Sequence, residues 1–167
     1  MKTADLIKQL EKKIGDQSSG LPYEIFLFVS RLTPLINVDL LIKDENGRTL
    51  LAWRDDKYAG TGWHIPGGII RHREKIETRI KKVIETEVDL PVKYEDKPMK
   101  IIEFIKKRKT RGHFITLVFK CFLLSKYVLN KNGTKEREVG FLKWHKGCPD
   151  DLIKCHEKYR KFLENKE

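Results

Sequence analysis

A carboxylate on the apolar side of a helix is the first feature of this sequence suited to chemistry. The periodicity predicts a helix over Lys75–Val88, with Ile76, Ile80, Val83, Ile84 and Val88 on one stripe. Glu87 falls inside that stripe, near Val83. A carboxylate so placed must be paired, protonated or bound to a metal, unless the last turn frays and lets it reach water. Pro66-Gly67-Gly68 precedes the helix. Glycines there let the backbone approach a ligand closely. A carbonyl presented opposite a helix carboxylate suits hard oxygen coordination of Mg²⁺ or Mn²⁺.

Other residues offer weaker signals. Arg54 ends the apolar run Leu50–Trp53. Its guanidinium fork suits a phosphate, and a surface ion pair with Asp55 or Asp56 is the competing reading. Asp39 interrupts another apolar run, where a turn or strand-edge partner accounts for it nearly as well. Trp63 suits either stacking on a base or anchoring its loop. His64 reads as packed or loop-capping, and His72 as solvated with substrate contact as the alternative, while His156 reaches a site only if its helix closes over one. The basic run Lys106–Arg111 reads as a solvated hairpin turn, with a phosphate-contacting loop as the alternative. Cys121, Cys148 and Cys155 read as reduced thiols, Cys121 in the core, and His145, Cys148, Cys155 and His156 match no common zinc spacing.

The elements that must position these residues follow from periodicity and turn signals. Residues 1–15 predict an amphipathic helix through Leu6, Leu10 and Ile14, and Leu21–Ser30 a second helix. Leu35–Lys43 and Thr49–Arg54 predict strands joined at Asn46-Gly47, a hairpin signal. Lys57–Gly68 reads as a glycine-rich loop. Lys100–Lys106, His113–Leu124 and Phe141–Trp144 predict further strands, Asn132-Gly133 a turn, and Asp150–Glu164 a closing helix. Residues 1–29 are expected to form an N-terminal helical segment and residues 30–167 one α/β domain.

Composition narrows the class. The 167 residues carry 35 Lys and Arg against 24 Asp and Glu, a net charge of +11, with 40% hydrophobic residues. That leaves apolar material for one core and excludes wholesale disorder. No apolar run approaches the ~20 residues of a membrane span. The charged N-terminus does not resemble a secretory signal, so a soluble, cytoplasmic protein without membrane partners is expected. The basic balance favours anionic partners. Nucleic acid is a secondary reading, because no RNA-binding aromatic signature accompanies the basic run.

With these residues in hand, the sequence resembles the Nudix hydrolases, whose signature is G-x5-E-x7-R-E-U-x-E-E-x-G-U, U being apolar. Gly68, Glu74, Ile84, Glu87 and Leu90 fit it. Lys82 stands at the arginine, Val83 and Thr86 at two of the glutamates, and Asp89 at the late glycine. One branch, the GDP-mannose mannosyl hydrolases, also lacks those two glutamates. The stretches Leu32–Leu35, Asn46–Arg48, Leu50–Arg54, Gly62–Gly68 and His113–Phe119, with Trp144, are similar to that branch. The sequence departs from it at Ile69, where the branch has an arginine, at Phe114, where it has a tyrosine, and in lacking a histidine between His113 and Trp144.

The resemblance implies a Nudix fold, an α/β/α sandwich with a mixed β-sheet, and a homodimer. It implies a Mg²⁺-dependent hydrolase of a nucleoside diphosphate sugar, releasing the nucleoside diphosphate and free sugar. Gly67, by its carbonyl, and Glu87 would hold the metal. Arg54 would bind the diphosphate and stabilise its departure, Asp39 would be an acidic site residue, and Glu74 with Lys82 the structural pair. Glu138 is the candidate for the missing base, its alternative being an exposed loop charge. Two other readings stay open: cleavage at phosphorus in another nucleoside diphosphate derivative, and a non-catalytic module binding nucleotide or RNA.

Overall fold

The computed structural model describes residues 2–127, 129 and 133–166. The Asn132-Gly133 turn therefore lies partly outside the described residues. The elements, in chain order, are α1 (Thr3–Ile14), α2 (Tyr23–Val29), β1 (Leu35–Lys43), β2 (Thr49–Asp56), β3 (Gly60–His64), β4 (Gly67–Ile69), α3 (Ile76–Val83), β5 (Lys93–Tyr94), β6 (Lys100–Ile105), β7 (His113–Phe122), β8 (Leu142–His145) and α4 (Arg160–Leu163).

The strands form one mixed, eight-stranded sheet. Its spine is β1 lying parallel to β7 in register from Leu35↔Phe114 to Lys43↔Phe122. Both strands are rich in β-branched and aromatic residues, which suit a pleated surface buried on both faces. The period of two sends alternate residues to opposite faces. Val38, Leu40, Ile42 and Phe119 pack with Ile80, Val83 and Val88 of the α3 layer. Leu41, Val118 and Trp53 pack on the other face with Leu152, Tyr159, Phe162 and Leu163 of the C-terminal layer. The result is the expected α/β/α sandwich.

The sheet forks. β1 and β2 pair at Lys43↔Thr49, beside a turn in which Asp44 accepts the Asn46 and Arg48 N–H groups at 3.0 and 2.8 Å. Beyond that point β4 lines β1, with Gly67 opposite Asp39, while β3 lines β2. The candidate site lies in this fork.

Two boundaries differ from the sequence reading. Lys57–Gly68 contains two strands, because its alternating Gly-Thr-Gly-Trp-His stretch pairs with the end of β2. Asp150–Glu164 is not one helix. Leu152 bridges to Trp63, and residues Lys154–Tyr159 form a 3-10 segment before the single turn of α4. Tertiary pairing with β3 overrides the local helical pattern there. By contrast α3 runs as expected, its last turn widening to a π-helical turn over Ile84–Val88. In α1 no residue is buried, and Leu6, Ile7 and Leu10 stay exposed. Among the described residues no helix is long and apolar enough to cross a membrane.

Candidate active site

Glu87 reaches the fork from the π-helical turn. Its Oε2 is buried, has no hydrogen-bond partner among the described residues, and lies 3.5 Å from His64 Nε2, which is equally unpartnered. The imidazole is fixed from behind: His64 Nδ1 is 2.8 Å from the Ala52 carbonyl and must carry the proton that bonds it. In the neutral ring Nε2 is then a bare acceptor. Two acceptors face one another, an arrangement that a shared proton or cation relieves. A histidine whose other nitrogen is tied to a backbone carbonyl is the usual form of a metal ligand.

Gly67 contributes backbone. Leu40 N–H bonds the Pro66 carbonyl and Ile70 N–H the Ile36 carbonyl, both at 2.9 Å. In an antiparallel ladder the bonded pairs alternate, so Gly67 and Asp39 form a non-bonded pair and the Gly67 carbonyl points away from β1. Only glycine fits the position: a Cβ there would stand 2.1 Å from Asp39 Oδ1 and 2.7 Å from the Val38 carbonyl.

Asp39 is 5% exposed and accepts a hydrogen bond from the Tyr159 hydroxyl. Its carboxyl is pushed up to about 7. Burial is the main cause, the Tyr159 bond opposes it, Glu87 adds to it and Arg54 opposes it. Glu87 and Asp39 thus act on one another across the fork. Among the described residues no three His, Cys, Asp or Glu side chains cluster as a metal site. Glu87 and His64 line one cavity of the fork and Gly67 the other, and these are the groups that could offer ligands to a cation there.

Arg54 stands between two cavities. One, of about 420 Å³, includes His64, Glu87, Thr134 and Val139 in its lining. The other, of about 250 Å³, includes Asp39, Gly67, His156 and Lys106. Arg54 Nε lies 3.5 Å from Asp56 Oδ2, so the ion pair and the cavity position coexist.

His156 faces the second cavity because the 3-10 segment does close over it. The Ile65 N–H donates to His156 Nδ1 at 3.1 Å. The neutral ring therefore carries its proton on Nε2, a hydrogen-bond donor. Its pKa falls well below the usual histidine range, through burial first and then the electrostatic influence of His64, Arg54 and Lys106.

The remaining candidates divide. Glu74 pairs with Lys82 at 3.1 Å, and also with Arg79 at 2.7 Å, and it accepts the Arg71 N–H at 2.8 Å. Burial raises its pKa, but these partners outweigh that and hold it below the usual range. Trp63 does not offer a stacking face. It is 3% exposed, with Trp53 and His145 edge-on at 5.1 and 4.4 Å, because β3 turns its side chain into the C-terminal core. Glu138 does not enter either cavity. It is exposed, and its carboxylate accepts the Lys135 N–H of its own loop at 2.9 Å.

The sequence assigns no site role to Arg79 or Tyr159 and does not disclose the orientation of His64. Arg79 follows Glu74 by five residues on the predicted helix and was open to notice. The Tyr159–Asp39 contact spans 120 residues and leaves no local signal.

Comparison with known proteins agrees with this architecture. The NUDIX domain family model matches residues 33–165, and the chain belongs to that family of hydrolases. A 64-residue stretch, 38% of the chain, is 33% identical to the low-salt glycan biosynthesis protein Agl8 of Haloferax volcanii. The match spans 40% of that protein's length. The fold is similar to that of a MutT protein from Methanosarcina mazei Go1, with 20% identity and a TM-score of 0.58 over 80% of this chain and 93% of that one. It is also similar to a MutT NUDIX hydrolase from Burkholderia pseudomallei, with 21% identity and a TM-score of 0.57 over 79% and 97%.

Proposed function

We propose that this protein is a divalent-metal-dependent hydrolase of a nucleoside diphosphate sugar, of the GDP-mannose mannosyl hydrolase kind. The observation that carries this reading is the buried, unpartnered Glu87 Oε2 facing His64 Nε2 at 3.5 Å, while Val83 and Thr86 supply no further carboxylates. Attack at phosphorus commonly draws on several metals held by several acidic residues. Attack at the anomeric carbon asks less, because the diphosphate need only be stabilised as it leaves.

Glu87 and the Gly67 carbonyl, with the His64 lone pair, would hold the ion, Mg²⁺ or Mn²⁺. When bound, it neutralises charge gathering on the departing diphosphate. The chain's own groups do the rest. Arg54 sits between the cavities and binds the diphosphate through its fork. Water attacks the anomeric carbon, the carbon–oxygen bond to phosphate breaks, and the nucleoside diphosphate departs with the bonding electrons. His156 Nε2 already carries a proton, so it donates a hydrogen bond and does not act as base. Asp39, backed by Tyr159, is the carboxylate on the cavity wall that receives the proton of the water. Glu138 is not assigned the role.

We read the protein further as a cytoplasmic homodimer, which light scattering on the purified protein checks. Activity is tested by incubation with GDP-mannose and other nucleoside diphosphate sugars in H₂¹⁸O with Mg²⁺ or Mn²⁺. Nucleoside diphosphate and ¹⁸O-labelled free sugar are expected. Nucleoside monophosphate and sugar phosphate would move the attack to phosphorus and overturn this reading.

A further inference from the structure

The basic turn between β6 and β7 is not a solvated loop throughout. Lys106, Arg108 and Arg111 line the 250 Å³ cavity that also holds Arg54 and Asp39. Lys107, Arg108 and Lys109 are all exposed, but of the three only Arg108 belongs to that lining. Two of the three lining cations, Arg108 and Arg111, are held by side-chain contacts. The Arg111 guanidinium stacks on Tyr58 at 4.3 Å, and the Arg111 backbone N–H donates to Ser30 Oγ at 3.0 Å. Arg108 donates to the Tyr58 carbonyl at 2.5 Å. Lys106 N–H bonds the Gly112 carbonyl at 2.7 Å, closing the turn.

The charge in this cavity does not balance. Four cations share a wall with one carboxylate, Asp39, which Tyr159 already engages. Burial first, and then the neighbouring arginines, lower the pKa of Lys106 and Arg111, while Cys155 and Asp56 oppose this. Crowded, half-buried like charges are costly without an anion between them. Ile69 and Phe114 line the same cavity. These are the two positions where the sequence gives up an arginine and a tyrosine relative to the branch it resembles. The lost polar groups and the incoming cations therefore face the same space.

We propose that Lys106 and Arg108, backed by Arg111, form the diphosphate-binding subsite of this chain and replace the cation absent at Ile69. The subsite rests on the reading above only in supposing a diphosphate ligand. Its volume suits a small phosphate compound and not a nucleic-acid backbone in a duplex.

The test is calorimetric titration of the full chain with inorganic pyrophosphate in EDTA. Lys106→Met with Arg108→Met is expected to weaken binding ~10-fold or more, since two charge-assisted contacts are lost. Lys107→Met with Lys109→Met removes the same charge from the same turn and is expected to change binding less than about twofold. Adding Ile69→Arg to the first pair is expected to restore binding. If that pair does not fold, as judged by circular dichroism, Arg108→Met alone is measured against Lys109→Met. No binding by the wild type, or equal loss in both pairs, overturns the subsite. So does a short single-stranded RNA that outcompetes pyrophosphate and is weakened equally by both pairs. Turnover is not read, so pyrophosphate binding with this pattern but no hydrolysis of any nucleotide sugar sinks the proposed reaction and leaves the subsite standing.

Discussion

The hydroxyl of Tyr159 donates to the carboxylate of Asp39, tying the C-terminal layer to β1 beside Gly67. Both groups are buried. Tyr159→Phe leaves a buried carboxylate without its donor, at an expected cost of roughly 1.5–3 kcal/mol. The loss should be larger at pH 8, where Asp39 is charged, than at pH 5. Urea unfolding of both proteins in EDTA checks this, and an equal loss at both pH values would count against it.

Asp39 also predicts a pH slope for the metal-free protein. Its pKa rises from 3.8 to about 7, so the folded state holds a proton that the unfolded chain releases in between. This contribution to stability is complete below pH 4 and is lost as pH rises towards 7. Asp39→Asn should flatten that part of the profile and stabilise the protein at pH 8. Melting temperatures from pH 4 to 8 in EDTA decide the matter.

Glu87→Gln should weaken Mn²⁺ binding and lower turnover roughly 100-fold, because the amide cannot supply the carboxylate's charge to the cation. His64→Gln should weaken Mn²⁺ less. The electron spin echo spectrum of the Mn²⁺ protein should lose its imidazole nitrogen coupling in that variant. Absence of such coupling in the wild type would remove His64 from the ligand set.

Gly67→Ala adds a Cβ into contact with Asp39 and the Val38 backbone. Because β4 is held along β1, relief requires the strand to move, with an expected cost of about 1–3 kcal/mol. The same variant should impair Mn²⁺ binding, since the carbonyl shifts with its Cα. Retained affinity alongside normal stability would show that the position tolerates a side chain.

Glu74→Ala should destabilise by about 3 kcal/mol, for it strands Arg79 and Lys82 and the Arg71 N–H together. Lys82→Ala alone should cost much less, because Arg79 still holds the carboxylate and Lys82 is about half exposed. Chemical denaturation of the two variants provides the comparison.

Local patterns made much of this architecture readable. The apolar stripe over Lys75–Val88 located both α3 and Glu87, and Asn46-Gly47 located the first hairpin. Gly67 and Gly68 were visible as a place of close approach. What escaped was decided by distant pairing. Lys57–Gly68 looked like a loop because its strands are short and glycine-rich, and only their partners in β2 and β1 make them strands. Trp63 carried the composition of a stacking residue, but strand parity turned it into the core. Glu138 had the right chemistry and the wrong direction, which no spacing within its own loop disclosed. His156 depended on whether the C-terminal segment closed over the fork, a matter of tertiary packing.

The parallel ladder between β1 and β7 has a consequence for the order of assembly. Its nine pairs join segments about 80 residues apart in the chain, and parallel pairing cannot begin from a tight hairpin. During synthesis β1 has no lasting neighbour on that side until β7 has emerged, and Asp39 has no hydroxyl partner until Tyr159 follows. The hairpin at Asn46-Gly47 and helix α3 can form early from local contacts. The candidate site is therefore among the last parts of the molecule to mature, and a nascent chain stalled before residue 159 carries Glu87 and Arg54 without a finished cavity between them.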